Sequence, residues 1–259
     1  MKSSPTDLSR AVTSPKVIPI QRTSSGIAPI PAFGPAVPSI APPRGLTPNT
    51  TVNTSEKDGF VLVSDPDGDA AHRYREMVAA IIRGPWPKRR ILVTSSASGE
   101  GKTLTAVNLA LVLGEMGRSV FLAELNLMRP RYRYVFGRPS EARGTESVLQ
   151  GEASPEEVTF QLGDTRIAVA SVANPMPNND LLRRQEKLAQ LFEYGAKTCE
   201  WSILDVPPIH ECSAIKELAS CAGPVVMVAR ARQTKLEVFR SAALALGNDL
   251  DYVILNDVA

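Results

Sequence analysis

The sequence predicts an α/β fold with a mainly parallel sheet covered by helices on both faces, and three observations carry that prediction. Short, continuous apolar runs rich in β-branched residues recur along the chain: RRILVTSS, RSVFLAEL, TRIAVAS, WSILDV, GPVVMVAR and DYVILN. Between them, 102–116, 179–196, 212–220 and 235–247 place apolar residues at helical spacing. Strands that are apolar throughout, rather than alternating, are buried on both faces, and strands alternating with helices imply a parallel sheet. In such sheets ligands bind beyond the carboxyl ends of the strands.

The elements follow in chain order. Residues 1–57 hold nearly half of the 21 prolines, much Ser and Thr, and very few acids. Proline interrupts the apolar residues so often that neither a helix nor a sheet ladder is expected to propagate, and the segment reads as a disordered or polyproline-like tail. A docking arm for a partner is the alternative reading of the same tail. Residues 58–259 form the expected folded domain. AAHRYREMVAAIIR, with Met77, Val78, Ile81 and Ile82 on one face, predicts an amphipathic helix that GPWP stops.

Composition narrows the function classes. At 259 residues and 43% hydrophobic, the chain can build one sizeable core. A net charge of +2 gives no broad basic face, so nucleic acid is not an expected partner. Cys199, Cys212 and Cys221 lack disulfide or zinc spacing, and His72 and His210 stand apart from other ligands, so any metal is expected to arrive with a nucleotide. No apolar run approaches the roughly 20 residues of a bilayer span, and the start of the chain lacks the apolar core of a signal peptide. A cytoplasmic protein is expected.

One stretch carries chemistry. SSASGEGKT follows the strand ILVTSS and precedes the helix KTLTAVNLALVLGEM, which Gly117 ends. The general phosphate-loop pattern GxxxxGK[ST] is met at Gly101, Lys102 and Thr103 and departed from at Ser96. Gly99 and Gly101 let the backbone curl so that amide N–H groups point at phosphate oxygens, reinforced by the helix dipole. A serine is compatible with the first position if its φ is negative. Ser98, Gly99, Glu100, Gly101, Lys102, Thr103 and Leu104 are therefore the expected nucleotide cradle. Lys102 would reach the β- and γ-phosphates, and the Thr103 hydroxyl suits Mg²⁺. A glycine-rich turn with a surface lysine is the bland alternative.

TSSASGEGKT resembles the phosphate loop of the bacterial tyrosine kinases of polysaccharide export, whose loop typically reads TSSxPGEGKS. VFLAELNLMRPRYRYVFG is similar to that family's second acidic motif, usually LIDxDxRRP, and WSILDVPPI to its Walker B strand, usually ending IIDTPP. VLQGEASPEEV, VVMVARARQTK and VILNDV extend the likeness over most of residues 70–258. The resemblance implies a P-loop NTPase fold of the deviant-Walker type, ATP and Mg²⁺ as cofactors, and transfer of the γ-phosphoryl group to protein tyrosine. It also implies work in capsule or exopolysaccharide biosynthesis with a membrane polysaccharide co-polymerase that recruits the protein to the inner face of the membrane. Lys102, Glu124 and Asp205 would be the catalytic set, with Thr103, Asp205 and Glu124 on the metal. Asn256, at the end of the last strand, would lie near the adenine, although a turn asparagine accounts for it equally well.

The departures from the family pattern open a second function class. Glu124 and Asn126 stand where the family has two aspartates; glutamate keeps the charge one methylene further out, and asparagine cannot serve as a carboxylate base. Asp205 before a proline pair is also plain turn chemistry. The family's ring-forming EAYRxLR pattern survives as HRYREMV, with Tyr74 and Arg75 kept but His72 and Val78 at the glutamate and second arginine places, so self-association is left open. No tyrosine-rich tail follows VILNDV. A nucleotide-binding regulator or assembly partner that transfers nothing is thus weighed beside the kinase. A partitioning-type ATPase is a third reading, and the place of its signature lysine holds Ala97.

Overall fold

In the computed structural model, which describes residues 16–19, 60–137 and 142–257, each of the six apolar runs forms a strand. In chain order the strands are β1 (Lys16–Pro19), β2 (Arg90–Ser95), β3 (Val120–Glu124), β4 (Thr159–Gln161), β5 (Ile167–Ala170), β6 (Trp201–Asp205), β7 (Val225–Arg230) and β8 (Tyr252–Asn256). They form one sheet in the order β1-β8-β7-β2-β6-β3-β5-β4. The six expected strands are mutually parallel. The two that sequence patterning misses, β1 and β4, are the antiparallel edges.

Burial on both faces explains the continuous apolar runs. On one side Ile91, Val93, Val120 and Leu122 pack under the helices Asp69–Arg83 and Lys102–Glu115. On the other, Leu92, Phe121, Ala123 and Leu204 pack under Gln185–Thr198, Ala214–Ser220 and Leu236–Leu246. The expected helix over 179–196 is in fact two, Asp180–Arg183 and Gln185–Thr198, because Arg184 leaves the helical region at φ −122°, ψ 38°. Tyr74 and Arg75, the residues kept from the ring-forming pattern, are spent within the chain. The Tyr74 hydroxyl lies 3.3 Å from Thr105 Oγ1, and the Arg75 guanidinium donates to both oxygens of Glu115 at 2.9 and 2.8 Å.

Residues Lys16–Pro19 correct the expectation that no ladder propagates through the N-terminal segment: they pair antiparallel with β8, Val17 opposite Ile254 and Ile18 opposite Val253. The run before Pro19 is long enough for a short strand, and an edge tolerates a proline at its end. The rest of residues 1–57 lies outside the described residues. Deleting residues 1–59 removes the cover from an apolar β8 edge, so the shortened chain should keep its circular dichroism but associate at high concentration by light scattering. Loss of the folded signal itself would show that the domain does not begin near residue 58.

Candidate nucleotide-binding and phosphoryl-transfer site

The carboxyl ends of β2, β3 and β6 converge on one place, so Ser95–Thr103, Glu124 and Asp205 are neighbours although far apart in sequence. Past β2 the chain turns through two left-handed glycines, Gly99 at φ 86° and Gly101 at φ 92°, into the helix that opens at Lys102. Ser96 is absent from the residues of positive φ, so serine costs nothing where the general pattern has glycine. Gly101 has a second reason to be glycine. A Cβ there would lie 2.5 Å from Asn256 Nδ2.

The loop is braced by its own glutamate. The Glu100 carboxylate accepts from Ser96 Oγ at 2.8 and 2.9 Å, from the Ala97 amide at 2.8 Å and from the Thr234 hydroxyl. Asn256 Nδ2 donates to the Glu100 carbonyl at 2.9 Å. Asn256 thus ties the last strand to the phosphate loop. Thr234 is a site residue that sequence reading misses, because its partner lies 134 positions away. Thr234→Val removes one hydroxyl from a buried carboxylate, and nucleotide affinity should fall about fivefold, in line with roughly 1 kcal/mol for such a bond. Unchanged affinity in a titration with a fluorescent ATP analogue would show that the brace does not shape the loop.

Lys102 is buried, with Nζ 3.4 Å from Asp205 Oδ1 and 3.4 Å from Thr103 Oγ1. A surface lysine on a glycine-rich turn is therefore excluded. Asp205 is fully buried, and its Oδ2 has no hydrogen-bond partner among the described residues. Burial pushes the Asp205 carboxyl up, opposed by Lys102 and the Thr103 hydroxyl. A buried carboxylate oxygen without a partner, beside a hydroxyl and an ammonium at a helix start, fits a phosphate-bound divalent cation. Among the described residues no group of three or more His, Cys, Asp or Glu could hold a metal alone, so the nucleotide would have to complete the shell.

Glu124 lies beside Asp205 in register on the neighbouring strand, but its oxygens are engaged elsewhere. Oε1 accepts from the backbone amides of Arg131 and Tyr132, the latter at 2.9 Å, and Oε2 from the amide of Val172 at 2.9 Å. It is wholly buried, not a solvent-facing acid at a strand end. Burial pushes its carboxyl up to about 8 despite those three donors, and the neighbouring Asp205 charge adds to the rise. Asn126 is structural in the same sense: Nδ2 donates to the Arg129 carbonyl at 3.1 Å. Arg129 reaches back to the loop, with Nη1 3.1 Å from Ser98 Oγ and 3.5 Å from Glu211 Oε1. The Tyr132 phenol is buried against the same acids, and burial together with the Asp205 and Glu124 charges keeps it protonated.

No family model matches the chain. In sequence it is similar to the tyrosine-protein kinase YwqD of Bacillus subtilis, 27% identical over 61% of this chain and 66% of YwqD. It is also similar to the putative tyrosine-protein kinase AmsA of Erwinia amylovora, 23% identical over 65% of this chain but only 23% of AmsA. The match therefore spans less than two thirds of these relatives' own lengths. In fold it is similar to the kinase domain of the Escherichia coli tyrosine kinase ETK, with a TM-score of 0.68 at 20% identity over 82% of this chain and 91% of that domain. The likeness to the cell division ATPase MinD of Pyrococcus furiosus is weaker, with a TM-score of 0.50 over 61% of this chain and 66% of that one.

Proposed function

From a chain that belongs with the bacterial tyrosine kinases, in sequence and in the fold of its P-loop domain, we propose an ATP-dependent protein-tyrosine kinase of polysaccharide export. The observation that carries this reading is the pairing of a left-handed glycine loop with a buried Lys102–Asp205 contact that leaves Asp205 Oδ2 unsatisfied. The amides of Ser98–Leu104 would cradle the phosphates, and Lys102 would leave Asp205 for the β- and γ-oxygens. Mg²⁺ bound with the nucleotide would be held by Thr103 and Asp205 and would neutralise charge on the phosphates. Glu124 acts here as a brace that fixes the segment after β3 against the segment after β5, rather than as a metal ligand, and Asn256 as a brace of the loop rather than an adenine contact. Both are revisions of what the resemblance implies, and both follow from the hydrogen bonds the side chains already make.

The partner in this reading is a membrane polysaccharide co-polymerase that holds the kinase at the inner face of the cell membrane. Among the described residues no helix is long and apolar enough to cross a membrane, so such placement would depend on a partner or on other parts of the protein. A second reading, a nucleotide-binding regulator that transfers nothing, is favoured by one observation: neither position of the second acidic motif offers a carboxylate free for the metal, since Glu124 is committed to amides and residue 126 is asparagine. The partitioning-type ATPase is disfavoured by Ala97. The readings agree on nucleotide and differ on transfer. Mg²⁺ should tighten ATP binding to the native chain and not to Asp205→Asn, as read by calorimetry. Equal Mg²⁺ dependence in both would remove Asp205 from the metal site.

A further inference from the structure

The turn after β3 carries an arginine to the phosphate loop, and two asparagines hold that turn in place. Asn126 Nδ2 donates to the Arg129 carbonyl at 3.1 Å, and Asn178 Oδ1 accepts from the Met128 amide at 3.0 Å. The Met176 amide donates to the Leu127 carbonyl at 3.0 Å, so the segment after β5 clamps the same turn. Both asparagines are buried, at 6% and 2% exposure. The partner of Asn126 is a carbonyl oxygen, which fixes the amide nitrogen as the atom that faces it. An ionised aspartate at 126 has no donor to offer and would set its charge against that carbonyl.

From this turn the Arg129 side chain crosses to the loop. Its Nη1 lies 3.1 Å from Ser98 Oγ and 3.5 Å from Glu211 Oε1, so one guanidinium bridges the loop after β2 and the 3₁₀ turn Ile209–Glu211 after β6. The side chain is 59% exposed, and it meets the loop where the loop itself is open, at Ser98 and Gly99. The amides at the start of Lys102–Glu115 suit the inner phosphates. The terminal phosphate would then lie toward the open part of the loop, in reach of Arg129. Both contacts of the guanidinium are made by Nη1, out of five N–H donors in a planar fork that matches phosphate oxygens. Lys102 offers a point charge; Arg129 adds geometry.

We infer that Arg129 recognises the terminal phosphate of the nucleotide and that Asn126 is its positioning residue, so that the turn after β3 tells a nucleoside triphosphate from a diphosphate. The inference rests on the nucleotide-binding reading, which the kinase and the regulator share, and not on phosphoryl transfer. It also gives residue 126 a reason to be an amide rather than an acid.

The test is calorimetric titration of the full chain, with Mg²⁺, against the β,γ-imido analogue of ATP and against ADP. The native chain should prefer the analogue. Arg129→Ala should weaken the analogue about 10- to 30-fold and ADP less than about threefold, the size expected for a lost charge-assisted bond to one phosphate. Arg129→Lys should recover part of the preference, since it keeps the charge without the fork. Asn126→Asp, compared at a temperature where circular dichroism shows it folded, should lose preference in the same direction by about fivefold, in line with one hydrogen bond. A merely structural role for Asn126 would weaken both nucleotides alike, and that result would overturn its part. Equal native affinity for the two nucleotides, or a native ratio retained in Arg129→Ala, overturns the inference and leaves nucleotide binding standing. A native chain that binds neither overturns both.

Discussion

Lys102→Ala should lower ATP affinity by at least about 100-fold, roughly 2.8 kcal/mol at 1.4 kcal/mol per tenfold. Among the described residues the ammonium is the one buried cation placed at the loop, 3.4 Å from Asp205, and its bonds to phosphate oxygens would be charge-assisted and shielded from water. The substitution also touches stability, because removing one partner of a buried pair leaves the other uncompensated at a cost of about 3 kcal/mol. That cost is moderated here, since burial already pushes Asp205 toward its neutral form. Lys102→Met keeps the aliphatic stem and separates the two effects: it should lose the nucleotide while melting nearer the native chain. Calorimetric titration at a temperature where both variants are folded checks this, and native-like affinity in either would take the phosphates away from Lys102.

The second large effect concerns stability. Glu124→Ala strands three amide donors, the part-buried one of Arg131 and the buried ones of Tyr132 and Val172. At about 1–3 kcal/mol for each buried group left unsatisfied, the loss should reach several kcal/mol and rank among the most damaging single changes in the chain. Glu124→Gln keeps an acceptor for Arg131 and Tyr132 and should cost much less. The pH dependence separates the two forms of the acid. Because the folded carboxyl titrates near 8 and an unfolded one near 4.5, the native state holds a proton that the unfolded state has released between those values. Glu124 therefore contributes stability in full below about 4.5, and that contribution is lost as the pH rises through about 8. Denaturant midpoints measured from pH 5 to 8 should fall in the native chain and flatten in Glu124→Gln. An equal slope in both would assign the titration to another group.

The sheet was legible because its central strands are buried on both faces and so read as unbroken apolar runs, from ILVTS to YVILN. β1 and β4 were not, since an edge strand of three or four residues is held by its neighbour's ladder more than by any pattern of its own. In the site, Gly99, Gly101, Lys102 and Thr103 announce themselves by spacing within one turn of chain. The braces do not. Thr234 and Asn256 meet Glu100 across 134 and 156 positions, and nothing local distinguishes them from turn residues. Glu124 was legible as an acid at a strand end, but its amide partners come from two other segments, so its structural commitment could only be seen in the fold.

The most direct test of the proposed kinase is transfer of label from γ-labelled ATP to a Glu/Tyr copolymer by the full chain, with Mg²⁺ and with Mg²⁺ chelated. The account predicts Mg²⁺-dependent phosphotyrosine on the copolymer that disappears in Lys102→Met and in Asp205→Asn. A chain that binds ATP·Mg²⁺ tightly yet labels no copolymer would contradict it and leave the nucleotide-binding regulator as the reading of this site.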